Sequence, residues 1–186
     1  MKFIIEHMEP ELFEWCVIEY AHISEMVGRE NVLFTNIPKK GISQLSQYGE
    51  ATEKKVAELN LKNACILDPY AKEALMPADS RHFECFIFGG ILGNNPAERR
   101  TAKLTTALPY PARNLGERQL STDTAVYVTK RILEGGKLED FHFVNEVEIQ
   151  IGEGESMILP FPYAVEGNHV VISEKLIGHL KKRKGF

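Results

Sequence analysis

Residues Asn114–Leu133 read NLGERQLSTDTAVYVTKRIL, and capping rules account for only the second half of the stretch. Ser121 or Thr122 can cap a helix; Asp123 then falls in its first turn and Lys130 and Arg131 in its last, each where the helix dipole favours that charge. Gly135 and Gly136 stand behind it as a stop. Leu115, Gly116, Arg118 and Leu120 are left without a helical role and form a loop. A second loop of this kind lies upstream in FIFGGILGNNPAERRT, Phe86–Thr101, where Gly89, Gly90 and Gly93 follow an apolar run and precede Arg99 and Arg100. Glycine there either closes a tight turn or lets a ligand approach the backbone with no side chain in the way.

Working outward, the chain reads as alternating strands and helices. Lys2–Met8 is a short strand, and Pro10 and Glu11 open a helix in which Leu12, Cys16, Tyr20, Ile23 and Val27 recur at helical spacing until Gly28. Asn31–Thr35 is a second strand, Lys39–Gln47 a polar connection, and Lys54–Leu59 a helical segment. Ala64–Asp68 and Phe83–Phe88 are continuous apolar runs, as expected of strands buried on both faces. Ala97–Thr106 reads as helix, Tyr110–Leu115 as strand and Ser121–Leu133 as helix. Phe143–Ile151 and His169–Ile172 read as strands before a final helix over Ser173–Lys182. The alternation predicts an α/β domain with a mainly parallel sheet, residues 1–186 forming one domain.

Composition narrows the function. The 186 residues, 44% hydrophobic and 26% charged, suit one globular domain with a real core, and no apolar run spans a bilayer. MKFIIEHMEPELFEW meets a glutamate early and lacks a small-residue cleavage site, which makes the cytoplasm the expected compartment. Cys16, Cys65 and Cys85 sit apart in apolar stretches, as small buried residues of a reducing compartment do. A net charge of −4 opposes general coating of nucleic acid and suits a basic polypeptide partner. Arg99–Arg100 and the tail Lys181, Lys182, Arg183, Lys184 are the concentrations of positive charge.

Motif chemistry is excluded in turn. FGGILGN has no GK[ST] for a P-loop, and GILGNN is not GxGxxG. The six histidines make no HExxH or other metal spacing, so no metal is expected, and GxSxG is absent. In open α/β sheets ligands sit beyond the carboxyl ends of the strands. That edge carries Glu6 to Met8, Asp68–Pro69, Phe88 to Gly93 and Leu115–Gly116.

LGERQLSTDTA resembles the LGxRxLRxETA signature of SPOUT-class methyltransferases that act on a ribosomal RNA base, with Ser121 for its second arginine and Asp123 for its glutamate. Over nearly the whole chain a further set is collinear: KFIIEHM with EW and EY following, LDP at Leu67–Pro69, FGGILG, RRT, QLSTDTA and LPFPYA at Leu159–Ala164. In that order they resemble the fungal SPOUT protein arginine methyltransferases that modify a small-subunit ribosomal protein. The resemblance implies a SPOUT fold with a trefoil knot over about residues 64–135, a bound S-adenosylmethionine and a monomer rather than a knot-mediated dimer. It implies that Leu115, Gly116 and Leu120 read the adenine, with Leu67, Pro69, Phe88, Gly89, Gly90, Ile91, Leu92 and Gly93 as the adjoining wall. Thr122, Thr124 and Ala125 close the site from the helix, and Pro160 and Phe161, with Tyr163, from a third loop.

An arginine acceptor is protonated and delocalised, and a carboxylate can hold its fork and raise electron density on one nitrogen. Glu6, Asp68 and Asp123 are the candidates. Glu6 is preferred as an acid at a strand end in an apolar run, Asp123 has a competing role at the helix N-terminus, and Asp68 before Pro69 shapes a turn. Arg99 can meet the cofactor carboxylate or the acceptor backbone. Two rivals stand beside the arginine reading: the same transfer to an RNA nucleotide, and a non-catalytic binding module that keeps the cofactor fold.

Overall fold

The computed structural model describes residues 1–90, 101–152 and 154–182. The strands and helices run β1 (Lys2–His7), α1 (Glu14–Val27), β2 (Val32–Thr35), α2 (Ile42–Leu45), β3 (Glu50–Ala51), β4 (Ala64–Leu67), β5 (Cys85–Gly90), α3 (Ala102–Ala107), β6 (Ala112–Arg113) and α4 (Thr122–Leu133). They continue as β7 (His142–Val144), β8 (Val147–Gly152), β9 (Glu155–Leu159), β10 (Tyr163–Glu166), β11 (His169–Val170) and α5 (Glu174–Lys182).

Six strands form one sheet in the order β3-β2-β1-β5-β4-β6, and every neighbouring pair is parallel. This is the mainly parallel α/β sheet that the sequence predicts. The continuous apolar runs have the physical cause expected of them, because successive side chains of a strand point to opposite faces and both faces are covered. Phe3 and Ile5 of β1 join Phe86 and Phe88 of β5 in the core beneath α1 and α4. Ile4, Leu33, Ile66 and Ile87 point the other way, against Leu104 and Leu108 at α3. A separate antiparallel part holds β11-β10-β7 and the hairpin β8-β9. Its core of Ile149, Leu159, Tyr163, Leu176 and Leu180 packs against Trp15 and Ile18 of α1.

Several boundaries differ from the sequence reading. Helix α1 starts at Glu14, one turn after Pro10, because Phe13 stays extended (φ −69, ψ 156). Gly28 ends it at φ +85, a conformation that favours glycine. Lys54–Leu59 contains only a 3₁₀ turn at Val56–Glu58, and Val56 gives its N–H to Glu6 Oε2 at 3.0 Å. The polar connection Lys39–Gln47 contains α2, and Tyr110–Leu115 contributes only two strand residues. The edge strand β6 is strapped instead by Arg113, which donates Nε and Nη2 to the two oxygens of Asp79 at 3.2 and 3.3 Å and lies over the Phe83 ring. Phe143–Ile151 is two strands: β7 pairs with β10, whereas β8 turns at Asn145–Glu146 to pair with β9. Residues 97–100 of the helix expected over Ala97–Thr106 lie outside the described residues.

Candidate active site

A cleft lies where β4, β5 and the loop before α4 converge. It is at the carboxyl edge of the parallel strands, where α/β sheets bind ligands. Leu67, Phe88, Leu115, Leu120 and Ala125 give it apolar walls, and Gly89 presents bare backbone. Thr122 Oγ1 donates to the Gly89 carbonyl at 3.3 Å, so the first turn of α4 is tied to the end of β5. Gly116 takes φ +87 and gives its N–H to Asn114 Oδ1 at 2.9 Å, which sets the turn leading into Leu120.

The rest of the lining is acidic and aromatic. Glu19 and Asp123 both line the cleft and are both buried, at 6% and 2% exposure. Trp15, Phe161 and Tyr163 line the same cleft. Glu19 comes from the middle of α1 and Asp123 from the first turn of α4; the Asp123 N–H donates to Glu19 Oε1 at 3.3 Å. Burial pushes the Glu19 carboxyl well above the usual carboxylate range and the charge of Asp123 adds to the shift, against backbone hydrogen bonds from Asp123 and Thr122 that oppose it. Burial, followed by the charges of Asp123 and Glu19, likewise raises the Tyr163 hydroxyl. A cation entering between the two carboxylates relieves both penalties at once, and the aromatic faces favour the same visitor.

Of the expected site residues, Leu67, Pro69, Phe88, Gly89, Leu115, Leu120, Thr122, Asp123, Ala125 and Phe161 line the cleft. Thr124, Gly116 and Pro160 are outside the lining set, adjacent to residues within it. Ile91, Leu92, Gly93 and Arg99 lie outside the described residues. Asp68 shapes a turn as expected: it accepts from the Tyr70 N–H at 3.0 Å and from Thr105 Oγ1 at 3.1 Å.

One reading needs correction. Glu6, preferred as the acceptor-holding acid, is not in the cleft: its Oε2 is bonded to Thr35 Oγ1 at 2.5 Å and to the Val56 N–H, tying β1 to β2 and the turn beyond. Gly90, expected beside the cofactor, also meets a packing demand: a Cβ there would collide with Tyr20 Oη and stand 2.9 Å from Ile5 Cγ2. The acid that the sequence reading did not place in the site is Glu19. Its signal is present: Trp15 and Glu19 are four residues apart and His22 three further, one stripe of a helix whose next stripe is apolar core. That stripe begins within the EW and EY elements of the resemblance.

The sheet with its switch-point cleft has the SPOUT methyltransferase fold. An archaeal relative in shape, the dual specific Trm10 from Thermococcus kodakaraensis, superposes with a TM-score of 0.57 at 16% identity over 75% of this chain and 96% of that one, a likeness of fold alone. A family model described as Protein arginine N-methyltransferase SFM1-like matches residues 2–185, and the chain belongs to that family. It is 36% identical over 202 residues to Protein arginine N-methyltransferase SFM1 of Saccharomyces cerevisiae, covering 98% of this chain and 95% of the yeast protein. The yeast arginine methyltransferase SFM1 complexed with SAH superposes with a TM-score of 0.88 at 33% identity, covering 96% of this chain and 94% of that one. Its complex with SAM gives the same TM-score at 34% identity, covering 97% and 90%.

Proposed function

We propose that this enzyme transfers the methyl group of S-adenosylmethionine to an arginine side chain of a small-subunit ribosomal protein. The observation that carries the reading is the pair Glu19 and Asp123, two buried carboxylates on one wall of a cleft with aromatic neighbours. Phosphate would be repelled there, and a guanidinium is matched in charge and shape.

The apolar lining fits the cofactor. Leu67, Phe88, Leu115, Leu120 and Ala125 offer an apolar seat for a purine, and the backbone from Leu115 to Leu120 offers hydrogen-bonding groups at its edge. S-adenosylmethionine, when bound, supplies a methyl group on a sulfonium that leaves as a neutral thioether. Glu19 and Asp123 orient the guanidinium so that one nitrogen lone pair faces the methyl carbon, which is the main requirement of an in-line displacement. That nitrogen must give up a proton as the new bond forms. The positive charge of the bound guanidinium offsets the burial and the Asp123 charge that raise Glu19 in the empty cleft, and the Glu19 carboxylate then faces that nitrogen and takes the proton.

A ribosomal acceptor is supported by the collinear sequence elements and by the net charge of −4, which favours a basic polypeptide. The same reading includes a cytoplasmic monomer and a trefoil knot. For the knot, the support is that the chain leaves the edge strand β6 and places α4 against α1 and the central strand β5. The test is transfer of labelled methyl from S-adenosylmethionine into small ribosomal subunits lacking the modification, followed by separation of protein from RNA. Label in one protein, recovered as methylarginine, supports the proposal; label in RNA overturns the acceptor.

A further inference from the structure

The stripe of α1 that carries Trp15 and Glu19 into the cleft carries His22 one turn further, to the back of Asp123. His22 Nδ1 lies 2.9 Å from Asp123 Oδ2. An ionised carboxylate has nothing to donate, so the proton of this bond sits on Nδ1. The other oxygen of Asp123 accepts from Ser121 Oγ at 2.6 Å and from the Thr124 N–H at 2.8 Å. His22 and Asp123 are both withdrawn from solvent, their side chains 13% and 3% exposed. Three donors therefore hold one carboxylate in one orientation, and two of them come from its own helix turn. Among the described residues, only His22 arrives from another element, 101 residues away in the chain. It also links the two acids, since Glu19 lies on the same helix one turn away and accepts from the Asp123 N–H.

We propose that His22 is a positioning residue of the acceptor site. It clamps Asp123 to α1, so that the two carboxylates keep the spacing at which they receive a guanidinium together, while His22 itself is absent from the lining of the cleft. The proposal rests on the reading of Glu19 and Asp123 as the acceptor-holding pair. Without the clamp Asp123 loses its donor from α1, and its carboxylate is left to turn on the donors of its own helix turn, Ser121 Oγ and the Thr124 N–H. Of the residues that this reading gives to the cofactor, Leu67, Phe88, Leu115 and Leu120 come from β4, β5 and the loop before α4, and Thr122 ties α4 to Gly89 independently of His22.

The experiment compares His22→Phe, His22→Asn and His22→Gln in steady-state methylation of an arginine peptide, with S-adenosylhomocysteine affinity measured by calorimetry on each. Asparagine places an amide donor near the position of Nδ1; glutamine places it near Nε2, out of reach of Asp123. Loss of one hydrogen bond to a buried charge predicts an acceptor KM raised roughly tenfold or more in the Phe and Gln variants. S-adenosylhomocysteine affinity stays within about twofold, and Asn restores KM to within about threefold of wild type. An unchanged acceptor KM in the Phe or Gln variant overturns the proposal, as does a variant set in which Gln rescues and Asn does not. Should the Phe variant fail to fold, the contrast of Asn with Gln decides. Failure of the wild-type enzyme to methylate any arginine peptide would instead remove the functional reading on which the proposal rests.

Discussion

Replacing Glu19 by glutamine separates what this side chain does for catalysis from what it costs the fold. The substitution is isosteric, and the amide oxygen still accepts the Asp123 N–H now 3.3 Å from Oε1. What disappears is an ionisable carboxyl whose charged form burial and Asp123 both oppose. Each charge-assisted hydrogen bond to the acceptor is worth about 1.5–3 kcal/mol. A fork held through two, partly replaced by weaker neutral ones, loses about 3 kcal/mol, and kcat/KM falls roughly a hundredfold or more. Stability moves the other way. The raised Glu19 carboxyl means that the native state retains a proton which the unfolded chain gives up above 4.5, so stability falls as pH rises through that window. Glutamine removes the fall, and a gain of about 1 kcal/mol at neutral pH lifts Tm by about 2–4 °C in a chain of this size. The assays are methyl transfer to an arginine peptide, calorimetry with S-adenosylhomocysteine, and thermal unfolding from about pH 4, near the ordinary carboxylate pKa, up to neutral pH. A variant within threefold of wild-type activity would refute Glu19 as the acceptor-holding acid. A variant less stable than wild type at neutral pH would refute the electrostatic account of the wall.

Other parts of the structure yield three more expectations. Gly90→Ala drives a methyl into Tyr20 Oη and costs about 2 kcal/mol, measured by urea unfolding; adding Tyr20→Phe, which removes the colliding oxygen, recovers part of the loss. Arg113→Ala strands the buried Asp79 carboxylate and releases β6, lowering stability by about 3 kcal/mol with a matching shift in the urea midpoint. His7 is buried, with Nδ1 2.9 Å from Tyr20 Oη, and burial holds it below its usual 6.5. The unfolded chain therefore binds the proton first as pH falls, and stability drops below pH 6.5. In His7→Asn that part of the acid sensitivity is missing, read from Tm against pH.

Local chemistry was legible in the chain wherever the deciding residues are near neighbours in sequence. The continuous apolar runs of β4 and β5 announce a sheet covered on both faces, and the capping residues of α4 place that helix to within one residue. The loop from Leu115 to Leu120 stood out because no helix or strand rule explained it, and it does wall the cleft. The apolar alternation over Phe143–Ile151, by contrast, gave no sign of two strands, because the partners β10 and β9 that divide it are chosen by distant packing. Nor did it tell Glu6 from Glu19. Both acids interrupt apolar stretches, and only tertiary structure decides that Glu6 is spent on Thr35 and Val56 while Glu19 faces Asp123. The packing demand on Gly90 likewise shows only once Tyr20 is seen beside it. Capping, periodicity and burial act over a few residues and leave a mark within that span. The acidic pair joins residues 104 apart, so only the folded chain can create it.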